Sequence, residues 1–141
     1  MARIVFVTDS ASDLDPAVAT AHGIRVVPLV VTFGPDTFRA GIDLSTEDFW
    51  ARMIAPDAPF PKTAAASPGD VKAIYDGAFA EGADAIISVH VAGTLSGAIK
   101  SAEIAKSMLP DREIHVVDSM GASMAESILC FLGHELASVG L

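Results

Sequence analysis

Four short segments carry side chains able to do chemistry. Gly93-Thr94-Leu95-Ser96-Gly97 stands between an apolar run and a helical pattern. Glycines let a backbone approach a ligand closely, and a helix start turns free N–H groups toward it. With the hydroxyls of Thr94 and Ser96, the segment suits a carboxylate or a phosphate. The plainer alternative is that Thr94 or Ser96 only caps the helix. Thr8-Asp9-Ser10 closes the first apolar run, and Asp118-Ser119-Met120-Gly121 follows the last short one. Both add hydroxyls and an acid, and the second adds a glycine. A fourth segment, Pro61 to Pro68, presents Thr63 before a helix that Ser67 is placed to cap.

Enzyme motifs are incomplete. A nucleophile elbow needs Gly-x-Ser-x-Gly, whereas Gly93-x-x-Ser96-Gly97 has the wrong spacing. His90 and His115 are the histidines a Ser-His-Asp triad would borrow, but both fall inside apolar strands, where a histidine is usually structural. Asp9 ends a strand, as a phosphorylated aspartate nucleophile would. The position two residues on, where a phosphatase places its second acid, is Ala11. Asp9, Asp13 and Asp15 do not match a calcium loop, again because of Ala11. Cys130 lies in an apolar helix and reads as inert packing. The residues point to a ligand-binding domain with a hydroxyl-rich anion pocket and no catalytic set. A small α/β hydrolase or phosphatase using Ser96 or Asp9 is the alternative.

The elements that must position these groups alternate. Ile4–Val7 reads as a strand buried on both faces. Asp15-Pro16 starts a helix that Gly23 can end. Arg25–Thr32 reads as a second strand, with Pro28 forcing an edge or a bulge. Helices follow after Ser45 and after Ser67. Ala85–Val91 is a further strand, and Ile99, Ala102, Ala105 and Leu109 mark a helix face. Glu113–Val117 is the last strand, and the final helix runs from about Ser123 to Ser138. Alternating strands and helices predict an α/β fold: a mostly parallel sheet flanked by helices, with ligands beyond the carboxyl ends of the strands.

Composition fits one such domain. The chain has 141 residues, 51% hydrophobic and 19% charged, which excludes a disordered chain. Nine basic residues stand against eighteen acidic ones. A net charge of −9 argues against nucleic acid and anionic membrane surfaces. One cysteine excludes an internal disulfide framework or a zinc cluster. No apolar stretch approaches the ~18 residues of a membrane span, and no signal peptide is visible. A cytoplasmic protein without cofactor or metal is the expectation.

The ordered set of motifs resembles the amino-terminal half of the DegV family of bacterial fatty-acid-binding proteins. The matching pieces are Val7-Thr8-Asp9-Ser10, Val26-Val27-Pro28-Leu29, Pro61-Lys62-Thr63 with Ser67-Pro68, Leu95-Ser96-Gly97 with Ser101-Ala102, and Val117-Asp118-Ser119. The resemblance covers essentially the whole chain. It implies a carrier that holds a long-chain fatty acid by its carboxylate. A separate fatty acid kinase then converts that carboxylate to an acyl phosphate. It implies that Thr63, Ser96 and Gly97 receive the carboxylate, with Asp9, Ser10, Thr94, Asp118 and Ser119 lining the pocket. The family commonly has polar residues where this chain has Ala64, Ala65, Ala92, Gly93 and Ala98. Family members are about twice as long, so a second, carboxyl-terminal domain that forms much of the acyl tunnel is expected to be absent from this chain. The final helix is apolar nearly all round. It is expected to need a second partner beyond the sheet, so that this chain self-associates or repositions its last helix.

Overall fold

The first strand is where the architecture begins, and its alternation decides both faces. In the computed structural model, which describes residues 2–141, β1 (Ile4–Asp9) is buried along nearly its whole length. Val5 and Val7 join one core cluster and Phe6 another, as the two-residue period of a strand requires. β1 pairs in parallel with β2 (Arg25–Val27) on one side and with β6 (Ala85–His90) on the other. β7 (Glu113–Asp118) extends the sheet beside β6, giving the order β2-β1-β6-β7 with every pair parallel. This is the α/β fold expected from the alternating pattern.

Helices cover both faces. α3 (Pro68–Ala80) and α4 (Ala98–Ser107) bury Val71, Tyr75, Ala78, Phe79, Ala102 and Ala105 against Val5, Val7, Ile86 and Ile114. Ala102 and Ala105 are fully buried. Their small side chains let α4 lie close to its neighbours. On the opposite face α1 (Pro16–Ala21) and α5 (Met124–Ser138) enclose Phe6, Ala19, Ile24, Val89 and Cys130.

Caps follow the local sequence. Asp15 accepts the N–H groups of Ala17 and Val18, with Pro16 at the first helical position. Ser67 accepts the N–H of Asp70 at 3.1 Å to start α3. Ser45 accepts that of Asp48 to start α2 (Thr46–Met53).

Pro28 does more than bulge a strand. The expected single strand over Arg25–Thr32 is broken there into β2 and β3 (Val30–Phe33), which belong to different sheets. A proline cannot donate to the ladder, and the chain uses that break to leave the main sheet. β3 is the centre of a small antiparallel sheet, with β4 (Asp36–Arg39) on one side and β5 (Lys62–Ala64) on the other. Under it, Val31, Phe33 and Leu44 form a separate small core with Phe38 and Phe49.

α5 is buried on one side only. Met124, Ile128, Leu129, Leu132 and Leu136 are 37–55% exposed, so the apolar surface expected to need a second partner is open in this chain. No described helix is long and apolar enough to cross a membrane.

Candidate functional site

The sheet order reverses direction of growth at β1 and β6, so a crevice opens beyond their carboxyl ends. The loops after β1, β6 and β7 meet around it. The Ala92 N–H donates to the Gly121 carbonyl at 2.8 Å, and the Ser119 N–H donates to the His90 carbonyl at 3.0 Å. Asp118 ties the same two loops: its Oδ2 accepts the Gly93 N–H at 3.2 Å and its Oδ1 accepts that of Met120 at 2.8 Å. A Cβ on Gly93 would stand 3.1 Å from Asp118 Oδ2 and 3.5 Å from Ile99. The glycine is what permits the loops to close on each other.

Ser96 is half-buried one residue before Gly97, the N-cap of α4. Its Oγ accepts the Ala98 N–H at 3.3 Å, so the hydroxyl is engaged at the start of α4. Gly97 itself gives the helix no side-chain cap, and a Cβ there would meet nothing within 4 Å. The approach to its backbone is therefore open. Thr94 is exposed. Ser119 accepts the Gly121 N–H at 3.2 Å.

Thr63 is on β5 of the small sheet, exposed and opposite Val31. The segment around Thr63 is a three-residue strand. Ser10 accepts the Leu29 N–H at 2.9 Å, pinning the end of β1 to the break after β2. It also borders a cleft of about 750 Å³ walled by Leu14, Ile24, Val31, Phe49 and Trp50, which neither Thr63 nor Ser96 reaches.

Asp9 is not on the pocket surface. It is 1% exposed, and its oxygens accept the N–H groups of Ala11 at 3.0 Å and Val91 at 3.1 Å. His90 Nδ1 lies 3.0 Å from Asp9 Oδ2, and His90 Nε2 lies 2.7 Å from Ser88 Oγ. Tyr75 donates its hydroxyl to Ser88 at 2.8 Å. A single direction of donation satisfies all four groups: Tyr75 to Ser88, Ser88 to His90, His90 to Asp9. Burial, the largest cause, pushes the Tyr75 phenol up to about 12, while its bond to Ser88 opposes that rise.

This connectivity is that of a hydrolytic triad, yet Ser88, His90 and Tyr75 are closed to solvent, with at most 1% exposed. The chain ties α3 to β6 and β1. Ser96 has no base here, because His90 is committed to Ser88. His115 lies in a strand as expected, but on the outer strand β7 it is exposed, 3.2 Å from Glu113. Among the described residues no three His, Cys, Asp or Glu side chains converge as a metal site. Cys130 is fully buried, and burial pushes its thiol up to about 11.

Sequence reasoning passed over Ser88 and Glu126. Ser88 and His90 share one face of β6 by the strand period, which was legible. Glu126 is one of two acids in a largely apolar helix, the other being Glu135, and its place there was its only signal. It lies in the first turn of α5, fully buried, accepting Thr8 Oγ1–H at 2.7 Å and the Asp9 N–H at 3.4 Å.

The model of the DegV family of uncharacterised proteins matches residues 3–141. The chain belongs to the DegV family. Among solved DegV structures, a fatty-acid-binding DegV family protein from Thermus thermophilus is 37% identical, with a TM-score of 0.86, over 99% of this chain and 49% of its own. DegV from Bacillus subtilis, a fatty-acid-binding protein, is 29% identical with a TM-score of 0.89, over 99% of this chain and 49% of its own. The fatty acid kinase (Fak) B3 protein of Streptococcus pneumoniae, solved loaded with linoleic acid, is 29% identical with a TM-score of 0.78, over 99% and 50%. The chain spans about half the length of the curated relatives it matches. The resemblance drawn from the motifs is thus the family.

Proposed function

We propose that this chain is a lipid-binding module that holds the carboxylate of a long-chain fatty acid and presents it to a separate fatty acid kinase. Thr63, Ser96 and Gly97 receive the carboxylate, with Ser10, Thr94, Asp118 and Ser119 around it. The observation that carries this reading is the 37% identity to a fatty-acid-binding DegV protein across 99% of the chain. The kinase as partner draws its support from the likeness to the Fak B3 protein. Geometry supports the carboxylate role: a free approach at Gly97 and a hydroxyl at Ser96 stand at the start of a ten-residue helix, where an anion is favoured. The hydrolase alternative has lost its parts, since Asp9 is buried and His90 is engaged away from Ser96. The experiment is calorimetric titration of the protein with a long-chain fatty acid, wild type against Thr63→Ala and Ser96→Ala.

A further inference from the structure

Glu126 holds the only buried side-chain oxygen without a hydrogen-bond partner among the described residues, its Oε2. The side chain is fully buried where the first turn of α5 meets the carboxyl end of β1. The ionisable groups that face this place are few. Asp9 of β1 is adjacent, and His90 of β6 stands behind it, bonded to Asp9. Cys130 is one turn further along α5. None is a lysine or arginine, and the His90 proton is directed at Asp9. A second carboxylate beside Asp9 has no cation to offset it, whereas a neutral acid brings no second charge to that buried place. Burial first, and the charge of Asp9 second, push the Glu126 carboxyl up to about 8.

Two further bonds hold the turn that Glu126 anchors. Ser127 Oγ donates to the Ser12 carbonyl at 2.7 Å, and the Ser123 N–H donates to that of Ala11 at 2.8 Å. Ser123, the N-cap residue, provides no side-chain cap and has φ 57° with ψ −134°, outside the small left-handed region open to L-residues. Met120 is also at φ 57°. The loop before α5 is therefore strained at Ser123, and it is the same loop that bonds Ala92, Gly93 and the His90 carbonyl.

We propose that Glu126 is a proton-operated latch: as a neutral acid it docks the first turn of α5 on the end of β1, and as a carboxylate it releases that turn with the 118–123 loop. Released into water, Glu126 titrates near its ordinary 4.5; docked, it titrates near 8. Between those values undocking expels a proton. Docking is strongest below the lower value and weakens as pH rises toward the upper one. The undocking constant rises about tenfold per pH unit and levels off above it, roughly a thousandfold in all between about pH 5 and about pH 8. The device stands whatever anion the neighbouring loops bind.

Hydrogen exchange of the 141-residue chain tests it at the Glu126 and Ser127 amides, both bonded to the Ser123 carbonyl. After correction for intrinsic exchange, wild-type protection should fall about tenfold per pH unit over that range. Protection in Glu126→Gln, a neutral isostere, should not change with pH. Equal slopes in the two proteins, or a flat wild type, would overturn the latch. A carboxyl ¹³C NMR titration of labelled wild type needs no variant. A Glu126 midpoint raised well above 4.5 supports the proposal, and one near 4.5 overturns it.

Discussion

Gly133→Ala should destabilise this protein even though it replaces glycine with the best helix former. Gly133 lies on the face of α5 that meets β1, and a Cβ there would stand 2.4 Å from Phe6 Cε1 and 2.9 Å from Cζ. Carbon atoms rest about 3.5–4.0 Å apart, so helix or ring must move by about 1 Å. The ring has little freedom: Phe6 is 2% exposed in the middle of β1 and meets the His134 ring edge-on. Overpacking a core costs about 1–3 kcal/mol, and a misfit this large belongs at the upper end. Alanine over glycine in a helix returns about 1 kcal/mol. The net loss is about 2 kcal/mol. Urea unfolding should show it as a lower midpoint at unchanged slope. Phe6→Leu placed in the Gly133→Ala background should recover part of the loss, because it removes the clashing ring edge. A Gly133→Ala protein as stable as wild type, or about 1 kcal/mol more stable, would refute this packing of α5 on β1.

Two other outcomes follow from the same structure. Tyr75→Phe removes the donor at the head of the buried chain to Ser88, His90 and Asp9, and should cost about 1 kcal/mol in the same unfolding assay; no loss would mean that the chain does not tie α3 to the sheet. The open face of α5 should make wild type sediment above the monomer mass at micromolar concentration, and Ile128→Glu with Leu132→Glu, both at half-exposed positions, should return it to monomer; a monomeric wild type would contradict self-association.

The layers were legible because their signals are local. β1 and β6 read as apolar runs, Asp15-Pro16 and Ser67-Pro68 announced helix starts, and each of those caps is present. The small antiparallel sheet was not legible. β4 and β5 are four and three residues long, and β5 is exposed at every position, so neither carries a hydrophobic period. Pro28 gave warning of a disturbed strand but not of a change of sheet. At the site, the loops after β1, β6 and β7 were legible as neighbours from topology alone. The partners of His90 were not: Asp9 is 81 residues away, and only the register of β1 against β6 brings them together. Glu126 was hidden for the same reason, since its meaning depends on a β1 end that lies 118 residues from it at Thr8.

Fatty-acid binding is the central claim, and titration calorimetry with a long-chain fatty acid tests it most directly. Hydrogen bonds to a charged group contribute about 1.5–3 kcal/mol each, so removing one hydroxyl should weaken binding about tenfold or more. The account predicts saturable binding by wild type and that loss in both Ser96→Ala and Thr63→Ala, with the unfolding midpoint little changed. No binding by wild type, or unchanged affinity in both variants, would contradict it.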